Sequence, residues 1–335
     1  MTPTLEDVAR RAGVSTATVS RCLNTPEKVI EATRARVMEA VEALGYSPHF
    51  GARAMAARRT NTIGAIVPTL ANAIFAEGLQ AFQERLSAGG YDLLLASSSY
   101  QPDQEAAQIK SLIARGADGL LLIGHDRSDS VHAFLDQRGL PVVAAWAFDP
   151  EGRLPSVGFD NYQAMRALSE AVIAEGHKRI GYISAPTDGN DRARARLSAI
   201  KAAMANAGLP ETGLTVVSAP YGIDEGHHAF RDLMRTLDPP TVVMCANDVL
   251  AVGALCAARD TGLNVPGDVS ITGFDDMALA RVVQPALTTV RVPHNRMGQA
   301  AARMLMDMIE QNATPAPLAL ETEVILRASL APPRA

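Results

Sequence analysis

The sequence predicts an α/β protein: two lobes of doubly wound parallel sheet, preceded by a small all-α helix-turn-helix domain. Short apolar runs alternate with amphipathic segments of helical period beyond residue 61. Continuous apolar strands separated by helices are typical of parallel sheets covered on both faces. Nine such runs are many for one sheet, which favours two lobes. The strand-like runs are 62–67, 91–96, 119–124, 141–146, 156–160, 179–184, 214–218, 241–246 and 269–274.

Helical segments lie between these runs. Apolar residues recur at the helical spacing over 75–88, 104–115, 162–175, 194–207, 225–237 and 249–261. A final apolar run, 321–330, predicts the last strand.

Composition and the first residues argue against a secreted protein and a membrane-spanning protein. The chain has 335 residues, of which 47% are hydrophobic and 20% charged, enough for a packed core and two or three units. The first residues lack a secretory signal, and no apolar run reaches the roughly 20 residues that span a bilayer. Cys22, Cys245 and Cys256 form no CxxC or metal-like spacing. We therefore expect a soluble cytoplasmic protein with free thiols, no metal, no cofactor and no membrane partner.

Charge is divided unevenly along the chain. Residues 1–60 carry nine Lys and Arg against six acids, a net +3, whereas the remainder carries −8. A basic head on an acidic body is the distribution expected of a phosphate-binding module on a sensor.

The residues of the head predict three helices. Thr4 and Asp7 form a capping box, and Gly13 breaks the first helix. Ser15 caps a second helix over 16–23, and the two predict a helix-turn-helix. A third helix is predicted over 31–44, ending at Gly45.

Residues 4–21, TLEDVARRAGVSTATVSR, resemble the headpiece of the LacI/GalR repressor family. The resemblance implies that Thr16, Ala17 and Arg21 read base edges in the major groove of double-stranded operator DNA. A guanidinium can fork onto guanine, and the two methyls can meet a thymine methyl. Alternatively, Thr16 and Ala17 only begin a helix and Arg21 is solvated. The candidate DNA-binding residues of the head are Thr4, Ser15, Thr16, Ala17, Thr18, Ser20, Arg21 and Asn24.

The hinge, 48–61, follows the head, which we assign to 1–47. Ser47-Pro48 reads as a helix start, and the resemblance implies a short helix in the minor groove when two subunits meet on DNA. Met55 matches the apolar side chain that wedges between base steps. Gly51, and Ile30 where relatives cap the third helix with serine, depart from the family. The alternative is an ordinary linker.

The resemblance continues through the body, 62–330, and implies a periplasmic-binding-protein-like pair of lobes. The motifs that carry it are GHKRI at 176–180, AND at 246–248, GFDD at 273–276 and PALTTV at 285–290. Family topology implies an N-terminal lobe of about 62–160 and 291–320, and a C-terminal lobe of about 161–290 and 321–330. No heptad segment follows, which favours a homodimer.

The effector is expected beyond the carboxyl ends of the strands, where parallel α/β sheets bind ligands. Trp146 stands where many relatives have an acidic residue, and Arg192, Arg194 and Arg196 lie close together in one helix. A guanidinium in the cleft favours a carboxylate-bearing effector such as a sugar acid. Asn247 and Asp275 could instead cap local structure, and Phe75 could be plain core. The resemblance implies effector contacts at Phe75, Arg196, Asn247 and Asp275. The candidate effector-binding residues are Phe75, Trp146, Phe159, Arg194, Arg196, Asn247 and Asp275.

Two other classes are disfavoured. An enzyme is unsupported, because no GxGxxG, GxxxxGK[ST], HExxH or GxSxG is present. A periplasmic sugar-binding protein for transport shares the body's fold, but would need a signal peptide and would lack the helix-turn-helix. The sequence therefore predicts a DNA-binding transcription regulator, most simply a repressor of carbohydrate genes, that binds a near-palindromic operator as a dimer under the control of a sugar-like or sugar-acid effector.

Overall fold

The computed structural model describes residues 3–47, 59–70 and 73–334. The chain divides into two compact units, Met1–Thr60 and Asn61–Ala335. Met55 and most of the predicted hinge lie outside the described residues, as does the side chain of Asn24.

The first unit is a three-helix head. Its helices are α1 (Leu5–Ala12), α2 (Thr16–Asn24) and α3 (Glu31–Leu44), with a 3-10 turn at Pro26–Lys28. Both α1 and α3 end at glycines in the left-handed conformation, Gly13 at φ 64° and Gly45 at φ 59°. Apolar side chains from all three helices form a separate core of Val8, Ala9, Ala12, Val19, Cys22, Val37 and Ala40. The predicted helix-turn-helix is confirmed.

The second unit alternates strands and helices, as predicted. Its strands are β1 (Thr62–Val67), β2 (Asp92–Ser97), β3 (Gly119–Ile123), β4 (Val142–Ala145), β5 (Ser156–Gly158), β6 (Ile180–Ser184), β7 (Leu214–Ser218), β8 (Val242–Cys245), β9 (Ser270–Thr272), β10 (Thr289–Arg291), β11 (Leu318–Ala319) and β12 (Glu323–Ile325). Its helices are α4 (Ala76–Ala88), α5 (Pro102–Ala114), α6 (Asp129–Arg138), α7 (Asn161–Ala174), α8 (Asp191–Asn206), α9 (Ile223–Met234), α10 (Asp248–Asp260), α11 (Ala278–Val282) and α12 (His294–Gln311).

Among the described strands, all but β10 and β12 form two parallel sheets, one in each lobe. The N-terminal lobe has the order β11-β5-β4-β3-β1-β2, and the C-terminal lobe has β7-β6-β8-β9. Strands β1, β3, β4, β6 and β8 are buried along their whole length, which explains their continuous apolar sequence. The α/β prediction is confirmed.

The chain passes between the lobes more than once. After β5 it enters the C-terminal lobe through α7, and β10 leads back to α12, which packs against α4 in the N-terminal lobe. A Cβ on Gly298 would lie 1.9 Å from the Gly78 carbonyl oxygen, so glycine is required where these helices cross. Strand β12 then pairs antiparallel with β10.

The long apolar run 321–330 forms a strand only over its first part, because the following residues anchor a tail instead. Ser329 accepts a hydrogen bond from Ile271 at its carbonyl oxygen and donates its hydroxyl to the Ile271 carbonyl. Among the described helices, none is long and apolar enough to cross a membrane.

Candidate functional site

The recognition helix α2 exposes the side chains predicted to contact DNA. Val19 is fully buried and fixes the inner face of the helix, while Thr16, Ala17 and Arg21 are exposed on the outer face. Thr18 and Ser20 are half-buried. The head therefore presents a guanidinium and two methyl-bearing side chains outward from one helix, a set that suits major-groove readout.

Three of the candidate residues hold the head together. Thr4 Oγ1 accepts from the Asp7 backbone N–H at 3.3 Å, and Asp7 accepts in return from the Thr4 backbone, which completes the capping box. Ser15 Oγ accepts from the Thr18 N–H at 3.2 Å and lies 2.9 Å from Thr18 Oγ1. The hydrogen bond from Thr4 lowers the pKa of Asp7. These residues position α1 and α2 before any DNA is bound.

Arg196 lies at the centre of the inter-lobe site in the body. Its side chain is buried, its Nε donates to Asn161 Oδ1 at 2.9 Å, and its Nη1 donates to the Ala246 carbonyl at 2.7 Å. The guanidinium stacks on the Phe274 ring, 3.6 Å from its centroid. These three partners all come from the C-terminal lobe, and together they fix the plane of the guanidinium.

Aromatic side chains form two pairs in the body, and one pair includes the Phe274 ring that stacks on this arginine. Phe274 stacks on Phe159 with centroids 6.0 Å apart, and Phe75 meets Trp146 edge to face at 5.3 Å. All four side chains are nearly inaccessible to solvent. Trp146 follows β4 and has φ 61°, so its ring is placed by backbone that only a minority of non-glycine residues adopt. The site offers aromatic faces beside a fixed cation.

Asp275 supplies an acidic side chain to the site, and the imidazole of His294 lies close to it. Asp275 follows β9 with φ 105°, is 3% exposed, and has its Oδ1 3.9 Å from His294 Nε2. Burial raises the pKa of Asp275, opposed by Arg196 and His294, and burial lowers the pKa of His294. His294 Nδ1 lies 3.1 Å from Trp146 Nε1.

Asn247 serves the fold and the site together. Its Oδ1 accepts from the Leu250 N–H at 2.9 Å and caps α10, as the alternative interpretation of this residue states. Its Nδ2, also buried, has no hydrogen-bond partner among the described residues. Next to it, burial and then Asp275 raise the pKa of Asp248 to about 8.

Arg194 does not join this group. Its side chain is 48% exposed and bridges the lobes at the rim, with Nη2 2.5 Å from Asp126 Oδ1 and Nη1 2.8 Å from the Thr187 carbonyl. Nearby, Asp191 Oδ2 accepts from the His125 N–H at 2.7 Å. Together these contacts form a rim clasp, defined here as the Arg194–Asp126 and Asp191–His125 pairs.

Several residues near this group were not among the candidates that the sequence analysis selected for effector binding. Arg192 lies one helical turn before Arg196 and is likewise buried, a spacing that marks one helix face. Asn161 is buried and tied to Arg196. Tyr100 and Tyr221, from opposite lobes, have ring centroids 5.6 Å apart, and burial raises both pKa values. His294 is the first residue of α12 and follows β10 closely. A polar residue shortly after a strand is the sequence feature that could have indicated it.

A basic helix-turn-helix head and a two-lobed parallel α/β body with a buried polar site between its lobes define a ligand-controlled DNA-binding regulator. Residues 4–49 match the family described as bacterial regulatory proteins, lacI family, and residues 170–330 match the periplasmic binding protein-like domain. The HTH-type transcriptional repressor CytR of Escherichia coli (strain K12) is 35% identical over 97% of this chain and 96% of its own.

Solved structures agree with this assignment. A LacI-family transcriptional regulator from Silicibacter pomeroyi superposes with a TM-score of 0.89 at 26% identity, covering 98% of this chain and 99% of that one. The transcriptional regulator CelR in complex with cellobiose gives 0.71 at 32% identity, with the same coverage of each chain. The chain belongs to the LacI family of DNA-binding transcription regulators.

Proposed function

We propose that the protein is a cytoplasmic repressor of genes for carbohydrate uptake or catabolism, released from its operator by a small sugar-like or sugar-acid effector. The observation that carries the proposal is the buried group of Arg196, Asn161 and Asp275 between the lobes, walled by aromatic rings. Polar groups that fix orientation within an apolar wall are typical of small-molecule sites. The CelR–cellobiose complex supplies a related regulator with a sugar bound.

The DNA-binding half of the proposal rests on the head. Thr16, Ala17 and Arg21 read base edges, and Met55, outside the described residues, enters the minor groove as an apolar wedge. Two heads related by a two-fold axis require a near-palindromic site, so the protein acts as a homodimer. Hydrogen-bonded pairs across the lobes let an effector alter lobe closure, and the operator affinity then changes by a coupling free energy of about 1–3 kcal/mol.

Selection of genomic DNA fragments on the purified full-length protein tests the proposal. We expect enrichment of a near-palindrome upstream of uptake and catabolic genes, and those genes name the sugars to add. Addition of the matching sugar should release the fragment. Enrichment only in the presence of a metabolite would replace induction by corepression. No enrichment under either condition contradicts the proposal.

A further inference from the structure

Asp248 is a buried carboxyl that forms no ion pair with the residues the structure describes. It is the first residue of α10 and is inaccessible to solvent. The side chain accepts two hydrogen bonds from neutral donors: Thr289 Oγ1 lies 2.6 Å from Oδ1, and the Met277 N–H donates to Oδ2 at 2.7 Å. A buried charge without a cationic partner is costly, so a carboxyl in such a place tends to take up a proton.

Two other carboxyls face Asp248 from the turn after β9. With burial as the larger cause, Asp275 and Asp276 repel its charge and raise its pKa to about 8. On β8, the thiol of Cys245 is a further titratable group that interacts with it. Both neighbouring carboxyls have cations beside them, so the proton that this acidic cluster keeps at neutral pH lies on Asp248. Those cations are Arg291 and Arg327, bonded to Asp276, and Arg196 and His294, which act on Asp275.

The hydrogen-bond partners decide which oxygen of Asp248 carries the proton. The Met277 N–H can only donate, so Oδ2 remains an acceptor and the proton lies on Oδ1. Oδ1–H then donates to Thr289 Oγ1, whereas the ionised carboxylate accepts from that hydroxyl. Ionisation therefore reverses one hydrogen bond and adds a negative charge to a cluster that already contains Asp275 and Asp276.

The hydrogen bonds of Asp248 join the turn after β9 to the chain that returns to the N-terminal lobe. Met277 belongs to that turn, and Thr289 is the first residue of β10, which leads to α12. The turn also bonds to β10 through its backbone, because the Asp275 N–H donates to a carbonyl of that strand at 2.9 Å. A Cβ on Gly273 would collide with Asp248 Oδ1, so the carboxyl is closely enclosed. A change of charge at this position thus acts on the turn and on β10 together.

We propose that Asp248 is a positioning residue whose neutral, protonated carboxyl holds the turn after β9 against β10 in the arrangement that responds to the effector. Loss of the proton leaves an unpaired charge in the cluster and displaces the turn, so the response to the effector weakens in alkaline solution. Asp248 acts through the turn and not on the effector itself. The inference rests on the proposed function, because it requires that an effector controls operator binding.

Infrared spectroscopy of the full-length protein detects the proton without any ligand, because a carboxylic acid and a carboxylate absorb at different frequencies. We expect a carboxylic acid band at pH 7 that is lost as the pH rises through about 8, and that is missing from Asp248→Asn. Asp129→Asn removes a fully exposed carboxyl and should keep the band. A band that persists unchanged in Asp248→Asn overturns the proposal.

Substitutions at two neighbours should move the midpoint of this titration in opposite directions. Asp275→Asn removes a negative charge and should shift the midpoint to lower pH. Thr289→Val removes the hydroxyl that stabilises the carboxylate and should shift it to higher pH, whereas Thr289→Ser keeps a hydroxyl and should retain the wild-type midpoint. Equal midpoints in all of these proteins would contradict the contacts on which the proposal depends.

Operator release measures the consequence for regulation. The probes are D-glucose, D-galactose, D-ribose, D-gluconate and cellobiose, each added to the selected operator fragment and the full-length protein in a gel shift. If only protein with a protonated Asp248 responds, the concentration of the active sugar for half release should rise about tenfold between pH 7 and pH 9, the ratio of the protonated fractions. In Asp248→Asn, whose amide imitates the neutral acid, the rise should stay below about twofold, while Asp129→Asn should behave as wild type.

The contrary outcomes are distinct. An equal rise in wild type and Asp248→Asn overturns the role of Asp248 in the response, even where the infrared band shows that its carboxyl is protonated. Release by none of the sugars at pH 7 contradicts the proposed function and, with it, this role. A protein that is released by a sugar equally well at pH 7 and pH 9 has the proposed function without the contribution of Asp248.

Discussion

Arg21 carries the sharpest prediction at the scale of single residues, because its side chain is exposed on the outer face of α2. Arg21→Ala should weaken binding to the selected operator by about 5- to 150-fold, the range for one bidentate contact with guanine. It should also relax selection at one base position of each half-site. Gel shift at fixed salt concentration, together with repeated fragment selection, measures both effects.

The matched control removes the same charge elsewhere. Arg85 lies exposed on α4 in the body, so Arg85→Ala changes the net charge equally without altering the head. An equal loss of affinity in the two variants would show that Arg21 acts only through its charge.

Neighbouring arginines of helix α8 have different environments. Arg192, Arg194 and Arg196 have the same side chain within five positions, yet Arg196 is buried against Asn161 and Arg194 is half-exposed at the rim. Helical phase separates Arg194 from the other two. The phase does not say which face of α8 meets the other lobe, so the sequence singled out Arg194 instead of Arg192.

At the scale of elements, α3 begins without a side-chain cap. Ile30 occupies the N-cap position with extended backbone (φ −57°, ψ 135°) and is 79% exposed. Ile30→Ser should stabilise the head by about 1 kcal/mol, because a serine hydroxyl can accept from an unpaired N–H of the first turn and little apolar burial is lost. Amide hydrogen exchange in the first turn of α3 measures the effect, and we expect this exchange to become slower.

Ile30→Ala serves as the comparison for that variant. It removes the exposed side chain but provides no acceptor, so exchange in the first turn of α3 should not slow. If alanine protected these amides as much as serine, capping would not be the cause.

The rim clasp gives a prediction at the scale of the whole body. Asp126→Asn removes the charge that pairs with Arg194 while keeping the size of the side chain. Because both side chains are partly exposed, the pair contributes little, about 0.2–1 kcal/mol. We expect the lobes to open more often and the dissociation rate of a bound sugar to rise about 1.4- to 5-fold, the factor that this free energy gives. Stopped-flow tryptophan fluorescence measures that rate.

The Arg153–Asp136 pair is the control for the clasp. It is an exposed ion pair within the N-terminal lobe, so Asp136→Asn should leave sugar dissociation unchanged. The difference between the two variants should shrink in high salt, which screens exposed charges. A salt-independent difference would contradict an ionic clasp.

His177 contacts the C-terminal tail, and its protonation should make the free energy of unfolding depend on pH. Its ring is 1% exposed and hydrogen-bonds to Thr241 Oγ1 and the Ala331 carbonyl. Burial lowers its pKa below 6.5, opposed by the Ala331 carbonyl and Glu175. The unfolded chain then binds a proton more readily, so the free energy of unfolding should fall as the pH drops below about 6.5.

Urea unfolding between pH 5 and 7.5 measures that slope. His177→Gln should reduce it, with the remainder due to His132 and His294, whose pKa values burial also lowers. His228→Gln, at an exposed histidine, should leave the slope unchanged. An identical slope in wild type and His177→Gln would rule out this role.

The sequence by itself determined the class of the protein, its helix-turn-helix head and its α/β alternation. The head and the alternation follow from local periodicity, capping residues such as Thr4 and Ser15, and glycines such as Gly13, all of which act over a few positions. The class follows from the resemblance of residues 4–21 to the LacI/GalR headpiece. The sequence also indicated Asn247 and Asp275 as candidate site residues, because they follow parallel strands whose carboxyl ends meet at one edge. The family resemblance indicated Arg196.

Only the tertiary structure decided how those residues are used. Trp146 and His294 are 148 positions apart, and their hydrogen bond depends on α12 returning to pack on α4. The same return brings His294 to 3.9 Å from Asp275. A local pattern contains no information on which distant side chains meet, because that distance is set by the packing of α12 against α4 in the N-terminal lobe. The contact between Trp146 and His294 could therefore not be predicted.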